Sequence, residues 1–226
     1  MTAIVGPNGA GKSSLLKAMM GLTPIAGGYV KFFDKNLEEA RDKISYMPQK
    51  ESVDWDFPIT VEEVVMMGRY KKLGLFKKER DADKLMVKSC LEKVGLQAFA
   101  QRQISQLSGG QQQRVFLARA LAQDSELFIM DEPFAGVDVA TEELILAVLR
   151  SMKNSGKTII VVHHDLQSVA EHFDYAILLN TRKIASGPVT EVLTEPILQA
   201  TYGGKLNILS DVGQLLSVEQ VKTRKG

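Results

Sequence analysis

The residues with the clearest chemical potential stand almost at the start of the chain. Their pattern is glycine, four residues, then glycine, lysine and serine, which is the phosphate-binding P-loop motif. Glycines let successive backbone N–H groups turn toward a polyanion, and the N-terminus of the next helix adds partial positive charge. The lysine can reach the outer phosphates of a nucleotide, and the serine hydroxyl can bind Mg²⁺. The motif and the residue after it are Gly6, Pro7, Asn8, Gly9, Ala10, Gly11, Lys12, Ser13 and Ser14.

The sequence on either side of the loop favours this interpretation over an ordinary glycine-rich turn. Residues 2–5 are short and apolar enough for a buried strand, and residues 14–20 are typical of a helix that ends near Gly21. Such a strand normally lies in the middle of a parallel sheet, yet only five residues precede Gly6. We therefore expect N-terminal strands of the usual sheet to be missing from this chain.

A pair of carboxylates follows the apolar residues 127–130. A buried strand that ends at Asp131 places this carboxylate at the C-terminal edge of the sheet, where α/β proteins bind their ligands. With a P-loop present, Asp131 would hold Mg²⁺ directly or through water. Glu132 could act as a general base on the attacking water. The alternative is that Asp131 caps the next element and Glu132 is a surface acid.

Leu107 precedes the stretch Ser108, Gly109, Gly110 and Gln111, which predicts a second helix N-terminus suited to an anion. One nucleotide needs one such cradle, and this chain has two. A two-fold dimer would let the Ser108 cradle of one copy close over the γ-phosphate held by the other copy. A flexible linker before a helix is the alternative.

Composition excludes several classes of protein. Lysine and arginine number 28 against 27 acidic residues, so the net charge of +1 provides no basic surface for nucleic acid. The single cysteine, Cys90, excludes an internal disulfide and suits a reducing compartment. No apolar run approaches the ~18 residues that cross a bilayer, and the first residues lack a signal-peptide pattern. We therefore expect a cytoplasmic location.

Apolar strands that alternate with helices indicate an α/β fold with a parallel sheet buried on both faces. We expect one domain over residues 1–226, with a core of about 1–50 and 123–226 and a helical subdomain of about 51–122. The predicted strands beyond the first are 29–33, 44–47, 127–130, 158–162 and 175–179, with a hairpin at 181–187. The predicted later helices are 61–70, 87–94, 107–123, 141–152 and 166–173.

Taken together, these motifs resemble the ATP-binding subunits of ABC transporters over nearly the whole chain. The shared motifs occur in the family's order, namely the P-loop, Gln49, residues 107–111, Asp131 with Glu132, Asp138 and His164. The resemblance implies a RecA-like P-loop NTPase core with a helical subdomain specific to the family. It also implies ATP and Mg²⁺ as cofactors, and ATP hydrolysis that powers a membrane transporter from its cytoplasmic face.

The resemblance implies roles for three further residues. Gln49 would contact Mg²⁺ and the attacking water and would form the hinge of the helical subdomain. Asp138 would lie at the seam of the dimer, and His164, directly before an acidic residue, would sense the γ-phosphate. Each role has an alternative: Gln49 could be only a turn residue, Asp138 could cap the helix near Thr141, and His163 competes with His164.

The segment of residues 52–58, followed by 61–70, is more narrowly similar to the subunits that serve manganese, zinc and iron importers. Trp55 and Phe57 would form part of a docking surface for the membrane permease, although Trp55 could instead anchor the loop on the core. The implied partners are a second copy of this chain, that permease and, indirectly, a metal-binding solute-binding protein. With three histidines and one cysteine, we assign this chain Mg²⁺ only.

Other functions are weaker interpretations of the same residues. A soluble ABC-type ATPase without a membrane partner is the main alternative. A GTPase would need a guanine-reading Asn-Lys-x-Asp stretch, which residues 180–183 do not supply. A binding protein without hydrolysis is opposed by the intact Lys12, Asp131 and Glu132. The family's adenine-stacking aromatic residue has no counterpart before Gly6, which predicts weaker nucleotide binding.

Overall fold

A computed structural model describes residues 1–49, 57–73 and 79–203. The chain separates into two compact units, one comprising Met1–Ala26 and Ile160–Gly226 and the other Gly27–Ile159. The boundaries that we predicted between core and helical subdomain, near residues 50 and 122, both fall inside the second unit. The division into core and helical subdomain therefore stays a prediction.

The strands and helices alternate along the chain as predicted for an α/β fold. The strands are β1 (Thr2–Val5), β2 (Ile44–Met47), β3 (Leu127–Asp131), β4 (Thr158–Val162), β5 (Tyr175–Asn180) and β6 (Arg182–Pro188). The helices are α1 (Lys12–Met19), α2 (Leu37–Ala40), α3 (Val61–Met67), α4 (Tyr70–Leu73), α5 (Asp81–Lys93), α6 (Gly109–Ala122), α7 (Val139–Asn154), α8 (Leu166–His172), α9 (Val189–Val192) and α10 (Glu195–Tyr202).

In the first unit, β1 lies between two parallel neighbours. Ile4 is opposite Val162 of β4 on one side and opposite Ile177 of β5 on the other. Ala3, Ile4 and Val5 are almost fully buried, as expected for a parallel strand that is covered on both faces. β6 pairs antiparallel with β5, which confirms the predicted hairpin. This arrangement holds the end of β1, and therefore the start of the glycine loop, between fixed strands.

In the second unit, β2 and β3 pair in parallel, with Ile44 opposite Leu127 and Met47 opposite Met130. Every residue of β3 is buried. Helices α3, α5 and α6 pack on one another, and a capping box formed by Thr60 and Glu63 begins α3. Val61, Val64 and Val65 of α3 are buried, which confirms the side of this helix that the sequence predicted.

Three sequence predictions differ from the structure. Residues 29–33 are not a strand, because Phe33 and Asp34 have φ of 53° and 63° and turn the chain back on itself. The predicted helix 61–70 breaks at Gly68, where a Cβ would lie 2.3 Å from the carbonyl oxygen of Arg119. α5 begins at Asp81 rather than Val87. Trp55 lies outside the described residues, and Phe57 is exposed.

Among the described helices, none has the length and apolar character needed to span a membrane.

Candidate functional site

The glycine loop connects β1 to α1, which is the strand–loop–helix context that the motif requires. A Cβ on Gly6 would lie 1.9 Å from the carbonyl oxygen of Leu179 in β5, so only glycine fits there. Gly9 and Gly11 meet no atom within 4 Å, but their φ angles of +80° and +92° are left-handed. The loop therefore needs glycine for two different physical reasons, close approach and backbone conformation.

Lys12 places its ammonium group inside this loop. Its Nζ donates hydrogen bonds to the carbonyl oxygens of Gly6 at 2.8 Å and Pro7 at 3.0 Å, and the side chain is buried. The loop is closed by the N–H of Ala10, which donates to the Pro7 carbonyl oxygen at 3.1 Å. The first turn of α1 contains no acidic residue. A positive charge thus lies beside a helix N-terminus whose first turn carries no acidic residue, as anion binding requires.

The structure separates the two neighbouring histidines at the end of β4. His163 is buried, and its Nδ1 accepts hydrogen bonds from the backbone N–H groups of His164 at 2.9 Å and Asp165 at 3.1 Å. Burial lowers the pKa of His163 to about 4, so its ring is neutral at pH 7. His164 is exposed. This agrees with His163 as a structural neighbour, and the γ-phosphate role of His164 stays a prediction.

In the second unit, two predicted catalytic residues meet although 83 positions separate them. The Nε2 of Gln49 donates a hydrogen bond to Oε2 of Glu132 at 3.0 Å. Gln49 is therefore more than a turn residue. Asp131 is fully buried as the last residue of β3. Burial and the negative charge of Asp131 together raise the pKa of Tyr46, on the neighbouring β2, to about 12.

Sequence reasoning missed Gln113, which also contacts the catalytic stretch. Its Nε2 donates a hydrogen bond to the backbone carbonyl oxygen of Glu132 at 3.2 Å, and its side chain is 1% exposed. A signal was available, because Gln113 precedes the buried Leu117 by four residues and the buried Ala120 by seven. A polar residue on the buried face of a helix needs a hydrogen-bond partner.

Ser108 is the N-cap of α6, which argues against a mere linker at this position. Its N–H donates to Oε1 of Gln111 at 2.9 Å, while the N–H of Gln111 donates to the Ser108 hydroxyl at 3.4 Å. This is a reciprocal capping box. Ser108 is exposed, and the first turn of α6 carries no acidic residue. The predicted anion cradle thus has an accessible helix N-terminus.

Asp138 caps α7, which is the alternative that we had weighed for it. Its Oδ1 accepts a hydrogen bond from the N–H of Thr141 at 2.7 Å. This bond lowers the pKa of Asp138 below its ordinary value. The carboxylate is exposed as well, and its role at a dimer seam stays a prediction.

The assignment of Mg²⁺ ligands stays a prediction. Within residues 1–49, 57–73 and 79–203, no group of three or more His, Cys, Asp or Glu side chains could hold a metal ion. Each residue that we predicted as a Mg²⁺ ligand carries an oxygen donor, namely the Ser13 hydroxyl, the Gln49 amide oxygen and the Asp131 carboxylate. Mg²⁺ is commonly held by one or two protein ligands together with phosphate oxygens.

Comparison with known proteins gives consistent results at the levels of sequence and structure. The sequence pattern of the family described as ABC transporter matches residues 1–135. The chain is 54% identical over 211 residues to the manganese transport system ATP-binding protein of Bacillus subtilis, covering 93% of this chain and 84% of that protein. It is 55% identical over 205 residues to the zinc transport system ATP-binding protein of Treponema pallidum, covering 91% and 77%.

Solved structures extend this similarity to the fold. The ADP conformation of an ATP-binding cassette from an ABC transporter superposes with a TM-score of 0.74 at 25% identity, covering 91% of this chain and 88% of that one. CbiO1 of Clostridium perfringens, part of an ABC transporter complex, gives a TM-score of 0.71 at 28% identity and covers 96% and 86%.

Proposed function

The chain belongs to the ATP-binding subunits of the ABC transporter family, and from this we propose that its ATP hydrolysis powers import of a transition-metal ion. The relatives at 54% and 55% identity are named for manganese and zinc transport; iron stays within the predicted group. The named relatives do not favour an ABC-type ATPase without a membrane partner. Proteins of this family bind ATP, and such transport subunits work as dimers with membrane permeases.

The observation that carries the catalytic proposal is the 3.0 Å hydrogen bond between Gln49 and Glu132. It supports Glu132 as the general base, because the amide of Gln49 orients the carboxylate that removes a proton from water. We assign the amide oxygen of Gln49 to a contact with the water or with Mg²⁺. The two residues act together on the nucleophile.

The remaining residues bind the phosphates. We assign backbone N–H groups of the glycine loop (residues 6–13 apart from Pro7, which has no N–H) and the Lys12 ammonium to the phosphate oxygens of ATP. Ser13, Asp131 and Gln49 would hold Mg²⁺, which supplies positive charge to the phosphate oxygens as the γ-phosphate leaves. His164 would contact the γ-phosphate. A second copy of this chain would have its ATP site completed by Ser108, Gly109, Gly110 and Gln111. Asp138 would lie at the seam between the two copies.

Exposed apolar residues support a permease contact. Phe57 is 56% exposed and Tyr70 52%, and both follow Gln49 in the chain. Aromatic residues of this kind are enriched in protein interfaces. We propose that they face the permease at the cytoplasmic side of the membrane, with the solute-binding protein delivering the metal to the permease. The transported metal would be the substrate of the permease and of the solute-binding protein.

Glu132→Gln tests the catalytic assignment. We expect ATP binding to persist, Mg²⁺-dependent turnover to fall by about 10²–10⁴-fold, and an ATP-dependent dimer to accumulate in size-exclusion chromatography. Glu126→Gln is the matched control, because Glu126 is an exposed acid whose salt bridge with Lys43 lies at the surface. Turnover of Glu132→Gln close to that of the control would contradict the assignment. Co-purification with an integral membrane protein tests the transport role.

A further inference from the structure

We propose that Gln113 is a positioning residue for hydrolysis, which holds the backbone of Glu132 and links it to the helix that begins with the Ser108 cradle. The inference rests on the proposed function of Glu132 as the general base. It concerns the backbone of that residue, whereas Gln49 contacts its side chain.

Glu132 has a backbone conformation that must be held in place. Its φ is +54°, in the left-handed region that non-glycine residues rarely adopt. Pro133 follows it, and a residue before proline favours an extended φ instead. Both the Cβ of Glu132 and the ring of Pro133 disfavour this backbone conformation. It persists only where contacts with the surrounding protein hold it. The direction of the Glu132 carboxylate therefore depends on what holds this peptide.

Two hydrogen bonds hold the peptide at its carbonyl oxygen. The N–H of Ala135 donates at 3.1 Å and closes the turn that leads to Asp138, and Nε2 of Gln113 donates at 3.2 Å. The first bond is local and moves with the turn. The second comes from α6, a helix of 14 residues, and its donor is almost fully buried. Gln113 thus provides a non-local restraint on this peptide.

The position of Gln113 in α6 connects this restraint to the second anion cradle. Gln113 follows Gln111 of the capping box by only two residues, so both lie in the first turns of one rigid helix. A shift of this helix N-terminus moves the donor that holds Glu132. When Ser108 engages the nucleotide of a second copy, the change therefore reaches the general base of the chain that carries Ser108. Hydrolysis in one copy would respond to the nucleotide bound by the other.

The chain contains a closely matched control in the adjacent residue. Gln112 is also buried, at 9% exposure, and its Nε2 donates to the carbonyl oxygen of Ile104 at 3.2 Å. Gln112 and Gln113 thus share a residue type, a helix and a hydrogen-bond distance. They differ in the peptide that they hold. Loss of a buried amide hydrogen bond is common to both substitutions, and loss of the Glu132 contact is specific to Gln113.

The test compares Gln113→Met with Gln112→Met in the full chain. Methionine keeps the unbranched length and removes the donor. We expect both variants to lose similar thermal stability and to bind ATP within about threefold of the wild type. We expect kcat to fall by about tenfold to a hundredfold only in Gln113→Met, because small misplacements of a catalytic group have effects of that size. The Hill coefficient for ATP should fall toward 1 in the same variant.

A double variant separates this inference from the proposed function. If Glu132 is the base, Gln113→Met combined with Glu132→Gln should be no slower than Glu132→Gln alone. If Glu132→Gln is inactive while Gln113→Met turns over like the wild type, the positioning role is wrong and the general base stands. Equal losses of kcat in Gln112→Met and Gln113→Met would reduce Gln113 to a structural residue and overturn the proposal. Gln113→Leu, which also lacks a hydrogen-bond donor, provides the same readouts if the methionine variant does not fold.

Discussion

Gly6→Ala isolates the contribution of loop geometry to nucleotide binding. The added methyl group would lie 1.9 Å from the Leu179 carbonyl oxygen, whereas Cβ contacts under 3.0 Å are essentially never seen. Loop and strand must therefore separate by about 1.1 Å. Leu179 belongs to β5, which is paired with β1 on one side and β6 on the other. The strand is restrained by its neighbours, so most of the shift falls on the loop.

The size of the shift determines the expected loss. A misplacement of 1 Å in an active site can cost about 10²-fold in rate, which corresponds to about 2.7 kcal/mol. We expect a loss of the same order in binding, because the displaced loop contacts the phosphates of the bound nucleotide. We expect Gly6→Ala to weaken binding of a fluorescent ATP analogue by roughly this factor and to lower turnover with it. The Lys12 ammonium should be displaced too, because the Gly6 carbonyl oxygen is one of its two acceptors in the loop.

Two alanine variants control for steric contact and for backbone conformation. Gly27 has open space around its Cβ position and no left-handed φ, so Gly27→Ala should leave binding unchanged. Gly9 has open space but φ of +80°, so Gly9→Ala should show an intermediate loss of about 1 kcal/mol from backbone strain. If Gly6→Ala bound the ATP analogue within threefold of the wild type, the close approach to Leu179 would not be what makes glycine necessary.

Two further predictions concern stability. Burial lowers the pKa of His163 from about 6.5 to about 4, so the unfolded chain binds more protons between these values. The contribution of His163 to the free energy of unfolding should be fully present above pH 6.5, and it should fall by about 3 kcal/mol toward pH 4. In urea denaturation, His163→Asn should make the free energy of unfolding depend less on pH in this range. An unchanged pH profile in this variant would contradict the prediction. Asp138→Ala removes the cap of α7 and should lower Tm by about 2–4 °C. Asp138→Asn keeps an acceptor, and an equal loss in both variants would rule out capping.

Much of the site was predictable because its motifs are local. The P-loop, the Ser108 capping box and the carboxylates at the end of β3 each occupy a few consecutive residues whose types determine the local conformation. The family itself followed from their order along the chain. The parallel strands were also predictable, because strands buried on both faces are continuous apolar runs.

Local reasoning failed where a pattern was ambiguous or a partner was distant. Residues 29–33 alternate like a strand, but the left-handed φ of Phe33 and Asp34 redirects the chain. α3 ends with Gly68 as its C-cap, and the Arg119 carbonyl oxygen of another helix lies so close that a Cβ at position 68 would clash with it. The two histidines could be ranked by their neighbours in sequence, but only burial distinguished the structural His163 from the exposed His164.

The sequence alone determined which chemical groups this protein has for ATP. Tertiary structure decided what restrains those groups. Gln49 meets Glu132 across 83 positions, Gln113 holds the backbone of the same residue, and the Leu179 carbonyl oxygen leaves room only for glycine at position 6. Such contacts join segments that are remote in the chain, and they depend on how strands and helices pack. No local pattern of residue types encodes them.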